Sequence, residues 1–191
     1  MKKIVVFASG SGTNFQNIAN YFDKKQTAKI ELLISNKADA YALERAKKMN
    51  ISTLLIDREM LYKSENVLNI LREINPDLLI LAGFLWLIPE NIIEAFPQKI
   101  VNIHPALLPK YGGKGMYGMQ VHKAVVANKE TETGISIHYV TKEYDKGDLI
   151  FQATCEVLPK DSPETIAEKV HSLEYEFFPK IIEKLLLEIE T

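Results

Sequence analysis

Short apolar runs alternate with amphipathic stretches along the first hundred residues of the chain. The run at residues 4–8 is continuous, as in a strand buried on both faces of a sheet. Further, mostly apolar runs lie at residues 30–34, 53–56, 78–82 and 100–103. The stretches between them predict helices at residues 14–24, 39–48, 59–74 and 89–96. This order of elements predicts an α/β fold with an open, mostly parallel, Rossmann-like sheet flanked by helices.

Turn and cap residues mark the ends of several of these helices. Asp39 can cap the second helix, because its short acidic side chain accepts hydrogen bonds from free helix N–H groups. Asn75 and Pro76 should stop the third helix, and Pro89 suits the first turn of the fourth. These signals favour separate helices between successive strands.

The pattern changes after residue 105, where a long loop rich in glycine and proline reaches residue 118. A helix follows at 117–128, and two strands at 134–140 and 149–153, joined by a polar turn, predict a late antiparallel hairpin. A terminal helix begins near Ser162. Its predicted apolar stripe has helical spacing: Ile166, Val170, Leu173, Phe177, Ile181 and Leu185. Without an internal repeat or linker, residues 1–191 are predicted to form a single domain.

Composition narrows the possible partners. The 191 residues include 47% hydrophobic and 25% charged residues, as in an ordinary globular protein. A net charge of −2 provides no basic surface for nucleic acid or an anionic membrane. Cys155 is the single cysteine, which excludes an intramolecular disulfide and a cysteine-rich zinc cluster. No apolar run is long enough for a signal peptide core or a membrane span, so a cytoplasmic protein acting on small molecules is expected.

A glycine-rich turn at residues 9–14 joins the first strand to the first helix. Such a turn directs free backbone N–H groups and the positive end of the helix dipole at an anion, without needing lysines. Phe15 occupies the third glycine position of a dinucleotide fingerprint, and the second strand ends at Asn36 without an acidic residue, so NAD is disfavoured. A bound monophosphate is the preferred interpretation, and a tight turn without a ligand is the alternative.

A second motif lies at the end of the fifth strand. Asn102 and His104 are two residues apart, so both side chains project from one face at the carboxyl edge of the sheet. An amide donor beside an imidazole suits a tetrahedral oxyanion and the transfer of a proton. Asp145, in the acidic turn of the late hairpin, could reach His104 and stabilise its protonated form, although a plain turn is the alternative.

These motifs resemble, in the same order, those of the phosphoribosylglycinamide formyltransferases, the formyltetrahydrofolate-dependent formyltransferases of purine synthesis. The resemblance covers essentially the whole chain. Asn-Ile-His-Pro followed by Leu-Leu-Pro is quite specific for formyltetrahydrofolate-using transferases, and the glycine turn and the chain length narrow the match. The segments that carry it are 9–14, 35–40, 81–84, 102–109, and His138 with 145–148.

The resemblance implies transfer of a formyl group from 10-formyltetrahydrofolate to the primary amine of phosphoribosylglycinamide, in de novo IMP biosynthesis, without a metal. By matching motif, the catalytic residues are Asn102, His104 and Asp145. Asn102 and protonated His104 are expected to stabilise the oxyanion of the tetrahedral intermediate. Asp145 is expected to raise the pKa of His104, and His104 or a bound water to relay the proton. Residues 1–100 would form the phosphate-binding half, and residues 101–191 the catalytic and folate half.

The resemblance also implies two binding sites. Gly12, Thr13 and Asn14 are expected to hold the phosphate and ribose, and Glu174 to contact the glycinamide end of the substrate. An apolar pocket with few polar groups suits a pterin. Its expected residues are Lys63, Leu85, Trp86, Leu87, Ile88, Asn102, Val140 and Tyr144. Trp86 stands where the family usually has arginine, and the glycines of residues 112–118 also depart from the commonest pattern.

Several alternatives remain open at this stage. A formyltetrahydrofolate hydrolase normally has a further N-terminal domain, and a methionyl-tRNA formyltransferase normally has a further C-terminal domain. Another amine or sugar formyltransferase would share the same catalytic motifs. A nucleotide-binding module without chemistry would keep residues 10–14 but would not need Asn102, His104 and Asp145 together. The expected protein is a monomer or a weak homodimer.

Overall fold

A computed structural model describes residues 1–189 of the chain. Seven strands, numbered in chain order, are β1 (Lys2–Phe7), β2 (Ala28–Ser35), β3 (Ser52–Leu55), β4 (Leu78–Leu81), β5 (Ile100–His104), β6 (Glu132–Tyr139) and β7 (Leu149–Glu156). Seven helices are α1 (Thr13–Lys25), α2 (Tyr41–Lys48), α3 (Arg58–Tyr62), α4 (Asn66–Ile74), α5 (Glu90–Ala95), α6 (Met119–Ala127) and α7 (Pro163–Glu188). Within the described chain, no helix has the length and apolarity needed to cross a bilayer.

The strands form one sheet in the order β3-β2-β1-β4-β5-β6-β7. The first five strands are parallel. Strand β6 pairs with β5, and β7 pairs with β6, both in antiparallel orientation. The central strands β1 and β4 are almost fully buried, with apolar cores on both faces of the sheet. The predicted α/β fold with a late antiparallel hairpin and a C-terminal helix is therefore confirmed.

The predicted helix at 59–74 is wrong as a single element, because the structure divides it into α3 and α4. Asp57 caps α3 by accepting a hydrogen bond from Met60 N at 2.8 Å. The Ser64 hydroxyl donates to Met60 O and accepts from Asn66 N, which turns the chain from one helix into the next. The apolar pattern continues across this break because both helices pack on the same face of the sheet.

Two predicted helix starts also differ from the structure. Asp39 does not cap α2; Ala40 occupies the cap position without a side-chain hydrogen bond. Helix α6 begins at Met119 instead of residue 117, because Gly118 has a φ of 51° and a ψ of −136°. That backbone conformation is available to glycine and is incompatible with a helix.

Helix α7 is capped by Ser162, whose hydroxyl accepts a hydrogen bond from Thr165 N. Its predicted stripe is correct at Ile166, Val170 and Leu185 but includes residues that are only half-buried. The buried face is wider because α7 packs against α1, α6, β6 and β7. The half-buried residues are Leu173, Phe177 and Ile181, and the buried ones that the stripe omits are Ala167, Glu174, Phe178, Pro179, Ile182 and Leu186.

Candidate active site

A cleft of about 720 Å³ opens at the carboxyl ends of β1, β4 and β5. Loops that follow these strands form its walls, as in other open parallel sheets. The hairpin connection between β6 and β7 and one face of α7 complete it. The lining includes residues 9–14, 81–88, 102–105, 113–119, 140–141 and 143–145, together with Lys37, His122, His138, Ala167, His171 and Glu174.

The glycine loop, residues 9–14, is held against α2. Gly12 has a φ of 72° and precedes the first turn of α1, which contains no acidic residue. Gly10 O accepts a hydrogen bond from Ala42 N, and Ser11 O accepts one from Arg45 Nε. Helical hydrogen bonding begins at Gln16 N, so the N–H groups before it lack helical partners and suit an anion.

Gly12→Ala is expected to destabilise the protein by about 2 kcal/mol or more, because it strains the left-handed backbone. An added Cβ would also lie 2.6 Å from both Cα and Cβ of Ala42. Gly10→Ala is the matched control, since no atom lies within 4 Å of its added Cβ. Thermal unfolding of both variants tests this difference. Equal melting temperatures would contradict the strain assigned to Gly12.

A cluster of four polar side chains occupies the centre of the cleft. Asn102 and His104 are two residues apart on β5 and both line the cleft. The connection between β6 and β7 brings Asp145 to them. The distance from His104 Nδ1 to Asp145 Oδ2 is 3.6 Å, and that from His138 Nε2 to Asp145 Oδ1 is 3.5 Å. Asn102 Nδ2 lies 3.0 Å from His138 Nε2. Asp145 therefore lies between two histidines and within reach of His104, as the motif suggested.

Backbone carbonyls determine which nitrogen of each histidine carries the proton. His104 Nε2 lies 2.7 Å from Tyr111 O, so it donates, and Nδ1 is unprotonated in the neutral ring. His138 Nδ1 lies 2.8 Å from Tyr139 O, so Nε2 accepts from the Asn102 amide in the neutral ring. The second N–H of that amide has no hydrogen-bond partner among residues 1–189. The proton-accepting atom of His104 is thus the one beside Asp145.

The glycine-rich loop after β5 also positions the carboxylate. Gly113 N donates to Asp145 Oδ2 at 2.8 Å. Asp145 has a φ of 54°, a conformation that aspartate and asparagine tolerate better than most residues. The loop between β5 and α6 therefore contacts both His104 and Asp145. Tyr111 O accepts a hydrogen bond from His104, and Gly113 N donates one to Asp145.

Burial dominates the electrostatics of His104. It lowers the pKa of the buried imidazole below the ordinary value of 6.5, and the opposing charge of Asp145 does not fully offset it. Asp145 therefore raises the pKa of His104 as expected, but burial outweighs this effect, so the net shift is downward. Burial alone would raise the pKa of Asp145, but a hydrogen bond from protonated His138, the charge of protonated His104 and the Gly113 N–H lower it. The cluster accordingly pairs a neutral His104 with an ionised Asp145.

The end of the cleft beside the glycine loop contains a buried carboxylate. Glu174 is 5% exposed, although a position on a terminal helix would ordinarily be solvated. Its Oε2 accepts hydrogen bonds from Asn14 Nδ2 at 2.9 Å and from His171 Nδ1 at 2.8 Å. Asn14 Oδ1 is enclosed and has no hydrogen-bond partner among the described residues. An unsatisfied acceptor at this position suits a ligand that donates.

The opposite wall is apolar and consists of residues 84–88 together with Val140 and Tyr144. Trp86 packs against Phe84 and Tyr62, with ring centroids 6.3 and 6.1 Å apart. The Ser9 hydroxyl accepts from Leu85 N at 3.0 Å and donates to Asn36, so this wall is bonded to the glycine loop.

Lys63 is the expected site residue that the structure does not bring to the cleft. It follows α3 as an exposed residue and lies outside the lining. The guanidinium of Arg58, on the same helix, lies 4.9 Å from the Trp86 ring centroid and provides the local positive charge. Lys63 lies in the break between α3 and α4, which leaves it exposed outside the cleft.

Several residues of the site give little sequence signal. His138 alternates with Ser136 on β6, which indicates the face but not the contact with Asp145. Tyr111 contributes a carbonyl, and Gly113 contributes an N–H group, so their side chains carry no signal for these contacts. Within residues 1–189, no three histidine, cysteine, aspartate or glutamate side chains are arranged to hold a metal ion.

The formyl transferase family matches residues 2–182 of the chain. The phosphoribosylglycinamide formyltransferase of Haemophilus influenzae is 37% identical over 187 residues, covering 95% of this chain and 86% of that protein. The chloroplastic enzyme of that name from Arabidopsis thaliana is also 37% identical over 187 residues. The chain spans 64% of the Arabidopsis protein and 61% of its Vigna unguiculata counterpart.

Solved structures show the same similarity. The phosphoribosylglycinamide formyltransferase of Coxiella burnetii, in complex with CHES, has a TM-score of 0.86 at 37% identity, covering 97% of this chain and 85% of that one. The corresponding structure from Bacillus halodurans has a TM-score of 0.87 at 32% identity, covering 97% and 95%. The backbone fold of this chain thus matches those two structures over nearly its whole length.

Proposed function

Because this chain belongs to the formyl transferase family, together with the phosphoribosylglycinamide formyltransferases that match nearly its whole length, we propose that it has their activity. It transfers the formyl group of 10-formyltetrahydrofolate to the primary amine of phosphoribosylglycinamide. The observation that carries this proposal is the position of Asn102, His104 and Asp145, which lie in one cleft between the glycine loop and an apolar wall.

The two ends of the cleft suit the two substrates. Backbone N–H groups at Gly12, Thr13 and Asn14 donate hydrogen bonds to the phosphate, and Asn14 Oδ1 and Glu174 accept hydrogen bonds from the ribose or glycinamide. Residues 85–88 with Val140 and Tyr144 cover the pterin, while backbone groups of the same segment recognise its polar edge. The reacting amine and formyl carbon then meet beside Asn102 and His104.

The reaction joins the amine nitrogen to the formyl carbon and forms a tetrahedral intermediate. The free N–H of the Asn102 amide donates to the oxyanion, and neutral His104 accepts the amine proton at Nδ1. Asp145, 3.6 Å away, stabilises the imidazolium that results. The imidazolium also donates to the oxyanion and returns the proton, directly or through water, to the departing folate nitrogen. The carbon–folate nitrogen bond breaks and releases tetrahydrofolate. The amine itself is the nucleophile, so neither step requires a metal.

The direct test is an assay of purified protein with 10-formyltetrahydrofolate and phosphoribosylglycinamide. Release of tetrahydrofolate that depends on the ribonucleotide, with formation of the formylated ribonucleotide, is the expected result. Release without ribonucleotide would instead indicate a hydrolase. No release by folded protein would overturn the proposal and favour a binding module.

Trp86→Ala is expected to raise the Michaelis constant for 10-formyltetrahydrofolate by about tenfold, because a large aromatic surface of the apolar wall is lost. The constant for the ribonucleotide should change little, since Trp86 lies on the wall opposite Glu174. Trp86→Phe keeps an aromatic face and should show a smaller effect. Steady-state kinetics of both variants check this, and an unchanged folate constant would contradict the assignment.

A further inference from the structure

Three side chains connect the glycine loop to solvent at the edge of the cleft. Asn14 donates to the Glu174 carboxylate, and His171 donates to the same oxygen, Oε2. Glu174 is buried, whereas the His171 side chain is 49% exposed and stacks on Tyr175, with ring planes 13° apart. A solvent-accessible imidazole thus directly contacts a buried carboxylate in the proposed substrate site.

The charge of that carboxylate opposes the proposed ligand. Phosphoribosylglycinamide carries a phosphate, and the glycine loop that suits this phosphate lines the same cleft as Glu174. Two negative charges in a partly desolvated cleft repel each other more strongly than in water. An imidazolium at His171, 2.8 Å from Oε2, offsets this repulsion while holding the carboxylate in place.

Other titratable groups face the pair from neighbouring elements. His122 on α6 and His104 on β5 interact with Glu174, and burial lowers the pKa of both imidazoles. The hydrogen bond to Glu174 raises the pKa of His171 above 6.5, against the smaller effect of burial. As pH rises through neutrality, His171 is therefore the histidine of this group that loses its charge.

We propose that His171 is a positioning residue of the ribonucleotide site, whose protonated form holds Glu174 and compensates its charge so that the anionic ribonucleotide binds more tightly. This inference rests on the proposed function, because its ligand is phosphoribosylglycinamide. Deprotonation of His171 leaves the carboxylate hydrogen-bonded but uncompensated. Affinity for the ribonucleotide accordingly falls as pH rises through the His171 transition, while affinity for the folate does not follow it.

Two substitutions separate the charge of His171 from its hydrogen bond. His171→Asn places an amide nitrogen near the position of Nδ1 and donates without a charge. His171→Lys keeps a positive charge that does not titrate near neutrality. The native side chain is half-exposed on a helix, so both residues are compatible with the fold.

The experiment is calorimetric titration of phosphoribosylglycinamide into the native protein and both variants, at about pH 6 and about pH 8.5, on either side of the transition of a histidine with a raised pKa. The native Kd should approach that of His171→Lys at the lower pH and that of His171→Asn at the higher pH. The two variants should differ by about fivefold at either pH. The substrate's own phosphate and amine titrate equally in all three experiments, so the comparison at each pH removes their effect.

The inference would be overturned if the Kd of the native protein and the Kd of His171→Asn have the same ratio at both pH values. If that ratio changes as expected but no formyl transfer occurs, the role of His171 stands and the proposed function fails. Formyl transfer with a constant ratio overturns the role of His171 alone. Absence of any ribonucleotide binding overturns both.

Discussion

His104→Ala is expected to lower kcat by about 10²–10⁴-fold, the usual contribution of a group that moves a proton in the transition state. The imidazole is buried in the centre of the cleft, and its unprotonated Nδ1 lies beside Asp145. The Michaelis constants of both substrates should change much less, because His104 lies between the glycine loop and the apolar wall. Steady-state kinetics with each substrate varied in turn measure both effects.

His104→Gln is the matched control for structural damage. Its amide nitrogen can replace Nε2 as the donor to Tyr111 O, while no proton acceptor remains at the position of Nδ1. The glutamine variant should therefore be as slow as the alanine variant but more resistant to thermal unfolding. A nearly normal rate for either folded variant would remove His104 from the proposed chemistry.

Asp145→Asn is expected to lower kcat by about 10²-fold, because the imidazolium formed at His104 loses its counter-charge. Asparagine retains an acceptor for Gly113 N and tolerates the φ of 54°, so the backbone should keep its conformation. This substitution therefore tests the charge of residue 145 with little change in its shape.

For the Asp145→Asn variant, we also expect a shift in the pH dependence of kcat/KM. The acidic limb of kcat/KM reports the free protein's base, and burial places the pKa of His104 below 6.5. Asp145 opposes that lowering, so its removal should shift the acidic limb to still lower pH. Comparison with the native protein cancels the substrate's own titration. A limb that does not move, or that moves to higher pH, would contradict the coupling of Asp145 to His104.

The glycine loop and the β5 motif could be predicted from the sequence because their chemistry is local. A strand followed by closely spaced glycines and a helix brings its N–H groups together within a few residues. Asn102 and His104 share a face because side chains alternate along a strand. The strands were predictable for the same reason, since the first five are short, mostly apolar runs and the last two form a hairpin around a polar turn.

Local sequence patterns could not predict the contacts between distant segments of the chain. The short distance from Asp145 to His104 depends on how β6 and β7 add to the sheet and on the Gly113 hydrogen bond. Lys63 was assigned to the cleft wrongly because the break between α3 and α4 leaves it exposed outside the lining. The pKa of His104 also could not be read from its neighbours, because burial outweighs the charge of Asp145.

The sequence by itself determined the alternation of strands and helices, the glycine turn and the pair Asn102 and His104, because each depends on residues that are neighbours in the chain. Tertiary structure decided that Glu174 is buried, that it contacts Asn14 across 160 positions, and that two histidines share Asp145. Those features arise where separate elements pack together, and packing determines both distance and desolvation. Desolvation lowers the pKa of His104 and His122, whereas the hydrogen bond to Glu174 raises that of His171.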